Sequence, residues 1–259
     1  MDELKKTGIE PDDWASLKTY TSARIALGKT GVSIPLKESL RFKMAHAHAK
    51  DAVYSTLDTM GLQASLHRLD VPVCCVHSRA ENRDVYLQRP DLGRLLSGQS
   101  TRQLQALALA PADISLIVAD GLSASAVNSY APPVLQFLVE AIHQAGYSLA
   151  PLVLVEQGRV AITDAIGGIL RPRLAIMLIG ERPGLSSFDS MGAYITYDPQ
   201  PGLTDERRNC ISNIRDEGLP PLMAVNKLMW LIESAFRLKL TGVALKDHDD
   251  CEPQRLAIE

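Results

Sequence analysis

Leu174-Ala175-Ile176-Met177-Leu178-Ile179, followed at once by Gly180-Glu181-Arg182-Pro183-Gly184, decides the fold. An apolar run of strand length that opens into a polar, glycine-bearing segment reads as a strand buried on both faces with a loop at its carboxyl end. Open α/β sheets build ligand sites at such ends. The polar segment continues to Gly218 as GERPGLSSFDSMGAYITYDPQPGLTDERRNCISNIRDEG. Its density of Gly, Ser, Asn and charge is more than a connector needs.

Working outward, Ile114-Ser115-Leu116-Ile117-Val118-Ala119 is a second buried run, ending in Asp120-Gly121, and Leu152-Val153-Leu154-Val155 is a third. Residues 193–197 read as a further strand. Helices are predicted over residues 131–145 with Gly146 as C-cap, 159–170 closed by Pro172, and 220–239 ended by Gly242. This alternation implies right-handed βαβ crossovers. The expected fold class is α/β: a Rossmann-like, mainly parallel sheet with helices on both faces, over residues 105–259. Residues 1–104 read as a mostly helical N-terminal region. An irregular arm reaches Pro35. A helix over 37–60 puts Leu40, Met44, Ala47, Ala52 and Leu57 on one face and stops at Gly61. A strand follows at Val71-Pro72-Val73-Cys74-Cys75-Val76, a short one at Val85-Tyr86-Leu87, and helices over 91–97 and 101–108.

The chain of 259 residues can bury a sizeable core. A net charge of −3 offers no general attraction for nucleic acid or anionic lipid, and 5% aromatic content argues against a base-stacking surface. No apolar run is long enough for a spanning helix, and the charged start MDELKKTGIEPDDW has no secretory h-region. Neither nucleic acid nor membrane is therefore expected as a partner. Cys74, Cys75, Cys210 and Cys251 form no C-x-x-C pair, which reads as reduced, cytoplasmic usage without a disulfide framework or zinc site.

Gly28-Lys29-Thr30 lacks both the Gly five residues earlier (Ala23 stands there) and the preceding buried strand of a phosphate loop, so it reads as a turn. Gly121-Leu122-Ser123-Ala124-Ser125 lacks the second Gly of a nucleophile elbow, and no His–acid pair is placed to activate Ser123. His46 and His48 are two apart on a predicted helix and point to different faces; His48 and Asp51 alone are too thin a set for a metal. His67, His77, His143 and His248 are scattered. Asp120 either contacts a ligand or caps a turn. Arg159, at a loop–helix junction, either binds an anion or amide carbonyls or is a surface Arg. Glu181 lies at the carboxyl edge of the sheet, where a ligand role is favoured. Cys210, among Asn209, Ser212 and Asn213, has no activating partner in sight and reads as a packing or contact residue, not a nucleophile.

Six segments, in order, carry a resemblance: TSARIALGKTG (21–31), NRDVYLQRPDLGR (82–94), VADGLS (118–123), GRVAITDAIG (158–167), LIGERPGL (178–185) and CISNI (210–214). Together they resemble the small (light) subunit family of ethanolamine ammonia-lyase. One departure is Gly168, where the family often carries an acidic residue. The resemblance implies an ammonia-lyase subunit, active only with its large subunit in a hetero-oligomer. The enzyme would convert ethanolamine to acetaldehyde and ammonia by a radical mechanism with adenosylcobalamin as cofactor. The large subunit would hold substrate; this chain would help bind cobalamin and carry no catalytic or metal-ligating residue. Family cobalamin contacts map onto Val160 (through its backbone carbonyl), Glu181 and Cys210. The absence of D-x-H-x-x-G fits a cofactor that keeps its own lower base. The resemblance also implies a cytoplasmic location inside a bacterial microcompartment. The rival reading is a standalone α/β module for a nucleotide or other small ligand, weakened for dinucleotides by the missing G-x-G-x-x-G; a structural assembly protein is a third.

Overall fold

A computed structural model describes residues 8–21, 23–107 and 111–246. The end of the expected helix at Ala108, together with His248 and Cys251, lies outside them. The described elements are α1 (Leu36–Tyr54), α2 (Thr59–Leu66), β1 (Val73–His77), α3 (Arg83–Gln88), α4 (Gly98–Ala106), β2 (Ile114–Ala119), α5 (Ala124–Gln144), β3 (Leu152–Glu156), α6 (Ile162–Leu170), β4 (Leu174–Gly180), β5 (Met191–Tyr197), β6 (Arg208–Ile214) and α7 (Pro221–Leu238).

The six strands form one sheet in the order β1-β3-β2-β4-β5-β6. The first four are mutually parallel, and β4-β5 and β5-β6 pair antiparallel. The α/β class expected from the sequence is the class observed. The polar segment after β4 is more ordered than its composition implies, because it folds into the antiparallel pair β5-β6. β2 and β4 are buried at every position, as strands covered on both faces must be. Alternate residues divide the core. Ile114, Leu116, Val118, Leu174, Ile176 and Leu178 pack under α5 and α7. Ile117, Ala119, Ala175, Met177 and Ile179 pack under α4 and α6. The β2-to-β3 connection uses a helix of the first face; the β1-to-β2 and β3-to-β4 connections, which cross in the opposite direction, use the second. A single crossover hand requires that change of face.

Several local expectations are corrected. Val85-Tyr86-Leu87 is helix, not strand: the Asn82 side chain caps α3 by accepting the Val85 amide at 3.0 Å. The helix expected over 91–97 is only a short 3₁₀ turn, Leu92–Arg94. The 37–60 helix is two helices, with Gly61 inside α2, where its amide is capped by Asp58. The face of α1 expected to be buried is open: Leu40 is 54% and Met44 58% exposed, and of α1 only Ala52 is buried. The helix expected from residue 131 begins at Ala124 and runs through Pro132 and Pro133. Those prolines supply no N–H to the carbonyls four residues earlier. A cap from Ser123 and a continuous buried row, including Val127, Val134, Leu138 and Ile142, hold the helix together regardless. α6 starts at Ile162, three residues later than expected.

Candidate functional site

The exits of β2 and β3 diverge, one into a helix on each face, so a crevice opens between neighbouring strand ends. Asp120, just past β2, is 2% exposed and spans it: Oδ2 accepts the Gln157 amide at 2.8 Å and Oδ1 the Gly158 amide at 3.0 Å. Arg83 Nη1 lies 3.5 Å from the same carboxylate. Burial pushes the Asp120 carboxyl up to about 6, against the hydrogen bonds and the Arg83 charge that hold it down. Asp120 therefore ties two strand ends together. Arg159 is half-buried and donates from Nη2 to the Tyr86 carbonyl at 3.1 Å, with its guanidinium 4.1 Å from the centre of the Tyr86 ring. Of its readings, anion or amide-carbonyl binding or a surface Arg, this packing shows the guanidinium on an amide carbonyl of the chain itself. Ser123 caps α5 and also donates to the Phe188 carbonyl, so it is a structural hydroxyl. Lys29 bridges to Glu10 and Thr30 to Ser33, so the turn expected at Gly28-Lys29-Thr30 falls instead at Gly31-Val32.

Glu181 follows β4 directly, and its carboxylate is held by β6. Ser212 Oγ donates to Oε1, and the Asn213 amide donates to Oε2 at 3.1 Å. The register explains this aim. Ala193 pairs with Ile211 and Met191 with Ile214, so β6 carries one extra residue there. This β-bulge puts Asn213 at φ +62° and turns Ser212 and Asn213 toward the end of β4. The bulge also spaces the buried Ile211 and Ile214 by three, which erases the alternation that would have announced β6 in the sequence.

Cys210 is exposed on β6 and pairs in register with Tyr194 of β5. Desolvation of the sulfur and the Glu181 charge push its thiol above the ordinary range, against the opposing pull of the Tyr194 hydroxyl. A thiol held protonated is a contact group and a poor nucleophile. Tyr194 is raised as well, by burial and by the neighbouring Cys210 and Glu181. Val160 sits just before α6, half-buried against the same second cluster on which Tyr194 packs, and its carbonyl accepts the Thr163 amide at 3.1 Å.

The elements bearing these three residues are joined. Arg208 of β6 and Asp164 of α6 form a buried bidentate pair, 2.8 Å at each contact. Sequence reasoning missed both, since a buried pair across 44 residues leaves no local pattern. Thus α6 is tied to β6 by Arg208–Asp164, and β6 to the end of β4 by Glu181. Gly168 packs on Pro201, whose Cδ would lie 3.1 Å from an added Cβ. The helices packed on β5 and β6 belong to the first face, α5 and α7. On β6, Arg208 is covered by α6, while Cys210, Ser212 and Asn213 farther along the strand are exposed. A groove of about 610 Å³ elsewhere, lined by residues such as Arg68, Pro133, Gln136 and His143, contains none of the three.

The ethanolamine ammonia-lyase light chain family model matches residues 11–246. The chain is 49% identical over 242 residues to the ethanolamine ammonia-lyase small subunit of Ralstonia nicotianae, covering 92% of this chain and 90% of that protein. It is 50% identical to the small subunits of Pseudomonas fluorescens SBW25 (92% of this chain, 87% of the relative) and of Xanthomonas campestris pv. campestris ATCC 33913 (92% and 89%). With a match of this length and identity, the chain belongs to the ethanolamine ammonia-lyase light chain, or small subunit, family.

Proposed function

We propose that this chain is the cobalamin-contacting subunit of an adenosylcobalamin-dependent ethanolamine ammonia-lyase, and that it acts only when joined to the large subunit. The observation that carries the reading is the bracing of three acceptor-bearing segments: the β6 bulge steadies the Glu181 carboxylate, the Cys210 sulfur lies on the same strand, and Arg208 ties that strand to α6, which the Val160 carbonyl directly precedes. Corrin carries peripheral amide side chains whose N–H groups donate to carbonyls and carboxylates. A neutral, amide-rimmed ring calls for several modest acceptors, which fits a face without a charged clamp.

When bound, the cofactor would supply the radical chemistry that the chain's own residues do not. The chain's part is binding and orientation. Glu181 would hold a peripheral amide through its remaining lone pairs, Val160 another, and Cys210 would touch the ring rim with a protonated, unreactive sulfur. The exposed stretch of β6 suits a ligand closed in from the far side by another polypeptide. The stripe of exposed apolar residues Leu36, Leu40 and Met44 along α1 suits burial by that same partner. Among the described residues no helix is long and apolar enough to cross a membrane. A cytoplasmic, microcompartment location belongs to this reading as part of the family's setting.

Co-expression with the large subunit is expected to yield a complex that releases acetaldehyde from ethanolamine when given adenosylcobalamin. Glu181→Gln in that complex should weaken cofactor binding about 5- to 100-fold, the span expected for one impaired hydrogen bond to a charged group. A stable complex without turnover, or unchanged cofactor affinity in Glu181→Gln, counts against the proposal.

A further inference from the structure

We infer that Tyr86 and Asp120 are positioning residues: they hold the turn of residues 157–160 so that the Val160 carbonyl stays aimed at the ligand. The inference rests on the cobalamin reading of Val160. Its basis is the set of distant groups that anchor the turn's backbone. The Gln157 and Gly158 amides both go to Asp120. The Gly158 carbonyl accepts the Tyr86 hydroxyl at 3.0 Å. The Arg159 amide goes to the Gly93 carbonyl at 2.8 Å. Each of these partners lies outside the turn. Beyond these anchors the Arg159 and Val160 carbonyls each accept one amide of the following helix, from Ile162 at 2.9 Å and Thr163 at 3.1 Å, so the Val160 carbonyl keeps a lone pair for a ligand.

The frame is tight. Tyr86 is fully buried and Asp120 nearly so. A Cβ on Gly158 would lie 2.9 Å from Val155 Cγ1 and 3.0 Å from Ala119 Cβ, so the turn rests directly on the strands. Gln157 adopts φ +56°, a region that costs a non-glycine residue free energy unless surroundings impose it. Arg83 supplies that constraint: Nη1 donates to Gln157 Oε1 at 3.3 Å and to the Gly121 carbonyl at 2.9 Å, and Nε to the Val53 carbonyl at 2.6 Å. The Arg83 and Arg159 guanidiniums pack on the Tyr86 ring, 4.7 and 4.1 Å from its centre. Two buried polar side chains and a strained backbone thus converge on one turn, and that turn carries a ligand contact.

The test uses the complete two-subunit enzyme with adenosylcobalamin. Tyr86→Phe removes one donor and keeps the ring on which both guanidiniums pack. Gln157→Gly removes the grip of Arg83 at a backbone position glycine adopts freely, so the fold is retained. The apparent KM for adenosylcobalamin should rise about 5- to 10-fold in Tyr86→Phe, and about 3-fold in Gln157→Gly, as expected for a lost neutral hydrogen bond and a loosened turn. Asp120→Asn, which turns a donor toward an amide, should exceed both. kcat at saturating cofactor and KM for ethanolamine should stay within about twofold, because the reacting groups are elsewhere. A merely structural role would lower the melting temperature or kcat and leave the cofactor KM of Gln157→Gly unchanged, and that result overturns the inference. Glu181→Gln separates the two claims. If it leaves the cofactor KM unmoved, the cobalamin reading itself fails; if it raises that KM while Tyr86→Phe and Gln157→Gly do not, only the positioning role fails.

Discussion

Asp120 shows how one side chain links sequence, packing and pH. Its place after a buried run marked it as a strand-end acid, but the choice between ligand contact and turn-capping was decided by two amides 37 and 38 residues away. Burial raises its carboxyl from 3.8 to about 6. The folded protein therefore binds a proton there more tightly than the unfolded chain does. The sign follows: this group's contribution to stability is complete below about pH 4, falls as pH rises toward 6, and is gone above. The shift corresponds to about 3 kcal/mol. Unfolding free energies measured from pH 4 to 7 should decline over that window in the parent protein, with the decline absent in Asp120→Asn. Glu181 and Cys210 were legible as residues because they lie in a polar segment behind a buried strand. Tyr86 was not, because a helical Tyr seven residues before Gly93 carries no mark of the hydroxyl bond it sends to Gly158.

At the level of elements, the Arg208–Asp164 pair is the main cross-brace. Both side chains are almost completely buried, 1% and 6% exposed, and meet in a bidentate fork. Arg208 also reaches Thr196 Oγ1 at 3.3 Å, so β5, β6 and α6 meet at one guanidinium. Removing one partner strands the other charge away from water. Arg208→Met should cost about 3–5 kcal/mol, read as a lower denaturation midpoint, while Arg208→Met with Asp164→Leu should recover much of the loss. If the single variant melts with the parent, the brace carries no weight. The same elements show which signals survive in sequence. β2 and β4 were plain because a doubly covered strand is apolar throughout. β6 was hidden because one of its faces is polar and the bulge breaks its period. α5 was truncated in the reading because a Pro pair is a strong local breaker, yet its burial against the sheet outweighs the two lost N–H donors.

For the whole molecule, one sheet gathers strands from both halves of the chain, since β1 hydrogen-bonds along its length to β3. Two stretches are open: Cys210, Ser212 and Asn213 on β6, and the outer side of α1, which packs on α5. Leu40→Lys with Met44→Lys should leave the thermal unfolding of the isolated chain unchanged, because neither side chain packs in its core. The same pair should reduce co-purification of the large subunit; undiminished co-purification would remove α1 from the proposed contact. The sequence by itself determined the α/β class, the buried strands of the parallel core and the family, because continuous apolar runs and long residue strings are local and survive in one dimension. Only the tertiary structure decided that β5 and β6 run antiparallel, that a bulge aims Ser212 and Asn213 at Glu181, and that α6 is locked to β6. Each of these depends on groups far apart in the chain meeting across strand edges, where hydrogen-bond partners and burial are set by the fold and not by neighbouring residues.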